Sequence, residues 1–278
     1  MPVWGTGVAI ASAVVVAVWF FTPLPTLAAR YIWEEYRFAP LTLALDRADG
    51  RLALAIGNYY FGNQTAIGTA NKRPYNLPLA KKAYDKALRI DPSLSLAHYM
   101  RARIEFVQSD FSAALEDLNA ALTISPDNKR PLYFRGLTYV YRGHAGDLSL
   151  AEQDFRAFVA WAPTEWAGYN DLAFVLAKEK KYADAAAVLK EAIATAKGGA
   201  ENPWLWVALG VMELNLDKPS LAVASLGKAQ TFAESLTETD WQKAYPGNNP
   251  ALAKEGIEAL QTGIARNVLT VYAALEKE

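Results

Sequence analysis

Few side chains in this sequence could carry catalysis, and those present do not form a known catalytic pattern. The 278 residues include two histidines, His98 and His144, and no cysteine, which excludes a catalytic thiol, a zinc–thiolate site and a disulfide. Zincin, nucleophile-elbow, phosphate-binding and dinucleotide-binding motifs do not occur. The carboxylates of Glu116 and Asp117 are interpreted as solvated helix faces. We therefore expect no enzyme activity, cofactor or metal, with an unrecognised hydrolase as the disfavoured alternative.

The overall charge gives no sign of a polyanionic partner. Lys and Arg number 28 against 29 Asp and Glu, for a formal net charge of −1, whereas nucleic-acid-binding domains are strongly basic. Apolar residues make up 52% of the chain, enough for a packed core. We expect neither a nucleic acid nor a small-molecule substrate as ligand.

The strongest pattern is an internal repeat with a period of 34 or 37 residues. A small residue recurs at one position, occupied by Ala80, Ala114, Ala151, Ala185 and Ala222. Four residues later stands a large apolar residue, namely Tyr84, Leu118, Phe155, Leu189 or Leu226. Three residues further are Ala87, Ala121, Phe158, Ala192 and Ala229. A fixed period of this length predicts an array of repeated structural units.

The earlier half of each unit repeats as well. "WVALG" (206–210) corresponds to "YNDLA" (169–173), and prolines at 92, 126 and 163 close the first three units. The pattern resembles the tetratricopeptide repeat, W-x2-L-G-x2-Y followed by A-x3-F-x2-A and P. The resemblance implies an all-α fold, a right-handed α-solenoid of five helical hairpins over residues 51–236. Two segments rich in turn formers, 61–76 and 143–147, are predicted as loops.

The resemblance also implies where a partner would bind. In this family the first helix of each unit lines a concave groove, and its partner-facing positions carry over to Arg51, Asn58, Phe61, Tyr99, Arg103, Phe106, Arg130, Tyr133, Tyr141, Asn170, Phe174, Lys178, Trp204 and Asn215. These are aromatic, basic and amide side chains with no acid, a composition typical of interfaces. A protein or peptide partner with some negative charge would suit them. The alternative is that they pack neighbouring helices or receive the chain's own carboxy-terminal helix.

The amino terminus predicts a membrane anchor. No charged side chain occurs from Pro2 to Ala29, and about 20 apolar residues suffice to span a bilayer. We assign residues 1–30 to a single transmembrane helix and residues 31–50 to a juxtamembrane segment. Aromatic residues suited to the headgroup interface stand at both ends, namely Trp4 at one end and Trp19, Tyr31 and Trp33 at the other. A cleaved signal peptide is the alternative. The side of the membrane stays open, with a slight preference for an extracytoplasmic location.

A stripe of small residues runs along the predicted anchor. Gly5, Ala9, Ala13 and Ala17 are spaced four apart, and such stripes permit close packing of helices in lipid. The alternative is that alanine is simply common in membrane anchors.

Residues 237–278 follow the repeats. "TETDWQKAYPGNNP" (237–250) is predicted as an ordered connector that ends with Asn249 as a helix cap and Pro250 at the first helical position. Beyond it, apolar residues at spacings of three and four predict an amphipathic capping helix. The chain is thus predicted to be a membrane-anchored scaffold or adaptor that binds a protein partner and supports assembly of a complex. The alternative is a fixed structural subunit, docked through its anchor and its convex face.

Overall fold

The computed structural model describes residues 22–62, 75–245 and 249–276. Within them the chain is entirely helical, with fourteen α-helices, two short 3₁₀ turns and one isolated antiparallel bridge. The predicted anchor packing residues Gly5, Ala9, Ala13 and Ala17 lie outside the described residues. The chain divides into two compact units, one ending at Arg101 and one beginning at Ala102.

The amino-terminal unit contains four complete helices and the first part of a fifth. These are α1 (Leu24–Tyr36), α2 (Ala39–Leu45), α3 (Gly50–Tyr60), α4 (Leu77–Ile90) and the beginning of α5 (Ser95–Val107). Helix α1 begins at Pro23 and Pro25. The N–H groups that prolines lack would have no partner within the helix in its first turn, so prolines are tolerated there. Trp33 is only 6% exposed and packs edge-to-face on Tyr59 at 5.3 Å. The assignment of Trp33 to a headgroup interface was therefore wrong, because its indole belongs to the core of this unit.

The predicted loop of the first repeat begins and ends at neighbouring points. Phe61 pairs with Tyr75 in the antiparallel bridge, and Gly62 adopts a left-handed φ of 67° that favours glycine. Asn76 then caps α4 by accepting a hydrogen bond from the Leu79 N–H at 3.0 Å. Residues 63–74, the rest of the loop, lie outside the described residues.

The carboxy-terminal unit continues the helical pattern. After the end of α5 come α6 (Phe111–Ile124), α7 (Arg130–Arg142), α8 (Asp147–Trp161), α9 (Trp166–Lys178), α10 (Tyr182–Thr195), α11 (Pro203–Asn215), α12 (Pro219–Glu234), α13 (Glu238–Ala244) and α14 (Ala253–Leu275). Pairs α7–α8, α9–α10 and α11–α12 form hairpins. The predicted loop at 143–147 joins α7 to α8, and Gly143 and Gly146 both have positive φ there.

The repeated small and large residues form the interior of the hairpins. All fifteen residues of the three recurring positions are buried. A Cβ on Gly136 would lie 2.9 Å from the ring of Phe155, so this close approach requires glycine. In the next hairpin the corresponding residues are Ala173 and Leu189, which share one buried cluster. A bulkier residue on one helix thus accompanies a smaller one on the other, as close packing requires.

Buried acids add specific links between and within helices. Asp154 accepts two hydrogen bonds of 2.7 Å from Arg135 across the α7–α8 hairpin, from Nε and Nη2. Asp147 receives a similar pair from Arg142 at the start of α8. Asp117 is also buried, at 3% exposure. Its interpretation as a solvated carboxylate was therefore wrong, because it lies on the inner side of α6.

The carboxy-terminal segment covers the last hairpin. Connector residues form α13, whose start is a capping box between Thr237 and Asp240. Asn249 accepts from the Ala251 N–H at 3.1 Å, and Pro250 opens a 3₁₀ turn before α14. Helix α14 buries Ile257, Ile264 and Val271 at intervals of seven residues. The last two pack on alanines and a leucine of α12, so that α14 covers its apolar side.

In the described ranges, no helix combines the length and the apolar character needed to cross a bilayer.

Candidate functional site

The first helices of the carboxy-terminal unit bring an acid and a phenol together. Tyr133 of α7 donates a hydrogen bond of 2.7 Å from its Oη to Oδ2 of Asp171 on α9. Its ring packs against Phe158 of α8, with the centroids 5.2 Å apart. The Asn170 amide lies 3.4 Å from the other carboxylate oxygen of Asp171. The hydroxyl and the amide thus hold this carboxylate in a defined orientation.

Burial changes the protonation behaviour of this acid. Desolvation raises the pKa of Asp171 to about 6, and the hydrogen bonds from Tyr133 and Asn170 lower it, opposing part of that rise. Burial also raises the pKa of the Tyr245 phenol, and the negative charge of Asp171 raises it further. The two groups are therefore electrostatically linked although they lie on α9 and at the end of α13. At neutral pH Asp171 is ionised in a poorly solvated setting.

A chain of aromatic rings connects α9, α11 and the connector after the repeats. The indoles of Trp166 on α9 and Trp204 on α11 stack with centroids 5.4 Å apart and an interplanar angle of 18°. Tyr245 meets Trp204 edge-to-face with the centroids 5.8 Å apart, and it is tilted by 43° against Trp241 at 5.1 Å. The connector after the repeats therefore places one of its own rings, Tyr245, against Trp204 of α11. Tyr245 belongs to the connector, whereas the alternative stated above concerned the carboxy-terminal helix.

Further aromatic side chains on these helices are open to solvent. Tyr141 is 65% exposed and Phe174 is 46% exposed. The Lys178 ammonium lies 5.2 Å from the centre of the Phe174 ring, and Phe106 packs edge-to-face on Tyr141 at 5.4 Å. We use the name first-helix surface for the set Tyr133, Tyr141, Trp166, Asn170, Asp171, Phe174, Lys178 and Trp204 of α7, α9 and α11.

Three of the predicted partner-binding residues are buried. Phe61 is 1% exposed, and Tyr99 and Arg103 are each 7% exposed. The Arg103 guanidinium lies 4.9 Å from the centre of the Phe134 ring. Their prediction as partner contacts is corrected, since positions that face outward in the repeat pattern are here enclosed by neighbouring side chains.

The remaining predicted residues serve local contacts or are simply exposed. Asn58 accepts a hydrogen bond of 2.9 Å from the Tyr84 hydroxyl, and Asn215 donates to the Val211 carbonyl of its own helix at 2.8 Å. Arg130 lies 3.9 Å from Glu165, both side chains being about half exposed. Arg51 is exposed on α3.

Sequence reasoning missed three residues of the site. Asp171 contradicts the expectation of a surface without acids, although it stands in the quoted segment "YNDLA", directly after the predicted Asn170. Trp166 could have been identified from the sequence, since it is a tryptophan at the start of a first helix. No sequence pattern indicated Tyr245, because its position next to Trp204 depends on how the connector folds back. Among the residues that the structure describes, no group of three His, Asp or Glu could hold a metal ion.

Neither a protein-family model nor a curated protein sequence matches this chain. Solved structures do resemble it, at low sequence identity. TTC0263, a thermophilic TPR protein of Thermus thermophilus, is 19% identical with a TM-score of 0.52, the match covering 80% of this chain and 100% of that one. YrrB, a TPR protein with an unusual peptide-binding site, is 18% identical with a TM-score of 0.53 and coverages of 75% and 93%. PilW, a type IV pilus biogenesis factor, is 21% identical with a TM-score of 0.54 and coverages of 80% and 98%. These likenesses show that the chain has a tetratricopeptide-repeat-like fold.

Proposed function

We propose that this chain is a scaffold or adaptor that binds a protein partner on the first-helix surface, without catalytic turnover. The observation that carries the proposal is the exposure of Tyr141 and Phe174 on first helices, together with the hydrogen-bonded acid Asp171 three residues before Phe174. Exposed aromatic residues next to fixed polar groups are typical of binding surfaces. YrrB, a protein of the same fold, is described as having a peptide-binding site.

The proposed mechanism uses rigid helices and adaptable surface groups. Hairpins α7–α8, α9–α10 and α11–α12 are fixed by buried residues, so their first helices present side chains at set positions. A partner segment would cover Tyr141 and Phe174 and gain mainly by removing apolar surface from water. Polar groups such as Asn170 would set its register through hydrogen bonds.

The test is a capture experiment with two matched pairs of substitutions. Tyr141→Ser with Phe174→Ser removes exposed apolar groups from first helices. Leu150→Ser with Leu221→Ser removes exposed leucines from the second helices α8 and α12, where they are 41% and 49% exposed. The natural chain and each double variant carry a photo-crosslinker in place of Lys178. The crosslinked products of the three chains are compared in cells that produce the protein.

The proposal expects a crosslinked partner that is lost with the first pair and retained with the second. Unchanged capture in the first pair would refute binding at the first-helix surface. Loss with the second pair alone would instead favour the alternative of a structural subunit docked through the second helices.

We also propose that the part of residues 1–30 that precedes α1 anchors the chain in a membrane, with the repeats extracytoplasmic. The uncharged run from Pro2 to Ala29 supports the anchor. The experiment is carbonate extraction of membranes, combined with a reporter after Glu278 that is active on only one side. Release of the intact chain into the soluble fraction would refute the anchor, and an inward signal would refute the proposed side.

A further inference from the structure

Helix α1 carries exposed apolar side chains along one side. Leu24, Leu27 and Tyr31 are each about half exposed. They follow one another at intervals of three and four residues, which places them on the same face of a helix. The buried residues of α1 recur every four residues on the opposite side, namely Pro25, Ala29 and Trp33. We use the name outer face for Leu24, Leu27 and Tyr31, which the core of the unit does not cover.

The outer face differs from the exposed side of another helix in the same unit. On α4, Lys82 and Arg89 are exposed, so that helix presents charges where α1 presents leucines. The outer face also continues beyond Tyr31, because the exposed ring of Tyr36 meets it edge-to-face with the centroids 6.1 Å apart. A single exposed apolar residue is ordinary, whereas a contiguous group indicates a contact surface for a protein or a membrane.

The charges of α1 leave its first half free to contact an apolar medium. Residues 24–29 contain no charged side chain. The first charge, Arg30, is directed toward α3, where its Nε lies 2.8 Å from Oδ2 of Asp49. Two acids, Glu34 and Glu35, stand in the last turn. An uncharged first half with leucines outward, followed by an acidic end, suits a helix whose first turns enter the boundary of a bilayer.

The preceding sequence favours a bilayer over a protein as the surface that the outer face meets. Residues 8–21 are almost wholly apolar, contain no charged side chain and lie within the proposed membrane anchor. Leu24 stands three residues after Phe21, and consecutive Cα atoms are about 3.8 Å apart. Helix α1 therefore begins within about 11 Å of the end of that segment. A bilayer that held the segment would be the surface closest to the outer face.

We propose that the outer face of α1 rests on the lipid bilayer, with Leu24, Leu27 and Tyr31 among the headgroups. Tyrosine suits this boundary because its ring is apolar and its hydroxyl is polar. Helices of this kind place their apolar side about 5–10 Å into the boundary between headgroups and acyl chains. The inference rests on the proposed membrane anchor. It adds to that proposal the orientation of the first folded unit, in which the Trp33 side of α1 is turned away from the lipid.

The experiment measures lipid contact at single positions of the full chain. The natural sequence has no cysteine, so one introduced cysteine carries the only fluorescent label. Leu27→Cys and Tyr31→Cys place the label on the outer face, and Lys82→Cys places it at an exposed position of α4. Each labelled chain is reconstituted into phosphatidylcholine vesicles and recovered by flotation. The fluorescence is quenched either by a nitroxide near the top of the lipid acyl chains or by iodide in the water.

A matched pair of double substitutions tests whether the outer face causes the contact. Leu24→Ser with Leu27→Ser removes two leucines from the outer face. Leu96→Ser with Val107→Ser removes two exposed apolar side chains from α5 and serves as the control. Both pairs are combined with the label at Tyr31→Cys. Circular dichroism verifies that each variant folds, and flotation reports on the anchor independently of the label.

We expect the lipid nitroxide to reduce the fluorescence at positions 27 and 31, and iodide to reduce it at position 82. The outer-face pair should abolish quenching by the lipid at position 31, and the α5 pair should leave it unchanged. Equal quenching by the lipid at positions 31 and 82, or quenching that persists in the outer-face pair, would overturn the inference. Protection of position 31 from both quenchers would also overturn it, since a protein contact would then cover the outer face.

Failure of the inference and failure of the proposed anchor give different results. A chain that floats without lipid quenching at positions 27 and 31 would refute the contact of α1 alone. A chain that does not float with the vesicles would refute the anchor and the inference together. Neither result affects the capture experiment with Tyr141 and Phe174, which tests the partner-binding surface.

Discussion

Replacing Asp171 by asparagine is expected to stabilise the carboxy-terminal unit at neutral pH. The side chain keeps its shape, and Oδ1 of the amide can still accept the hydrogen bond that Tyr133 donates to the carboxylate. What is removed is a negative charge that burial disfavours.

The size of the effect follows from the shift in pKa. Desolvation raises the pKa of Asp171 from 3.8 to about 6 in the folded chain, and this difference corresponds to about 3 kcal/mol of unfolding free energy. Asp171 retains partial contact with solvent, which screens the charge, and the amide is a weaker acceptor than the carboxylate. We therefore expect Asp171→Asn to gain about 1–2 kcal/mol at neutral pH.

The sign of the pH dependence is fixed by the direction of the shift. Because the folded pKa lies above the unfolded value, the folded chain binds the proton more tightly. The contribution of Asp171 to stability is therefore most favourable below about pH 4 and is lost as the pH rises through about 6. The advantage of Asp171→Asn over the natural chain should be full above about pH 7 and disappear near about pH 4.

The assay is urea unfolding of the full chain and of the variant at both pH values, followed by tryptophan fluorescence. Five of the eight tryptophans lie in residues 102–278, so the signal reports mainly on the unit that contains Asp171. Asp154→Asn serves as the contrasting variant, since it weakens a buried ion pair with Arg135 and should destabilise the unit. Equal stability changes of Asp171→Asn at both pH values, or a loss of stability at neutral pH, would refute the reasoning.

Three further predictions test the packing and the ion pairs of the helices. Gly136→Ala should lower the free energy of unfolding by about 1–3 kcal/mol, because its Cβ would lie 2.9 Å from the Phe155 ring. Adding Phe155→Leu to the same chain should recover part of this loss, as a double-mutant cycle would measure. Arg135→Ala leaves a buried carboxylate unpaired and should cost about 2–3 kcal/mol, whereas Arg156→Ala, at a half-exposed ion pair, should cost well under 1 kcal/mol. Ala114→Leu places a large side chain at a fully buried position and should cost about 1–3 kcal/mol by urea unfolding, and a neutral result would contradict close packing there.

The fold could be predicted from the sequence because its main contacts repeat. Small and large residues recur at fixed intervals, as in Ala151 with Phe155 and Ala185 with Leu189, and each set packs within one hairpin or against the next. Such contacts depend on nearby residues and on helical geometry, so a period alone predicts them. The amphipathic spacing of α14 follows the same logic, since its apolar side must be covered by an adjacent helix.

The first-helix surface could not be predicted to the same extent, because it depends on contacts between distant parts of the chain. The hydrogen bond from Tyr133 to Asp171 joins residues 38 positions apart, and Tyr245 reaches Trp204 from a connector outside the repeats. Arg103 occupies a partner-facing position of the repeat and is nevertheless buried. Periodicity predicts which side of a helix a residue lies on. The solvent exposure and the pKa of that residue depend on every side chain that the tertiary fold places around it.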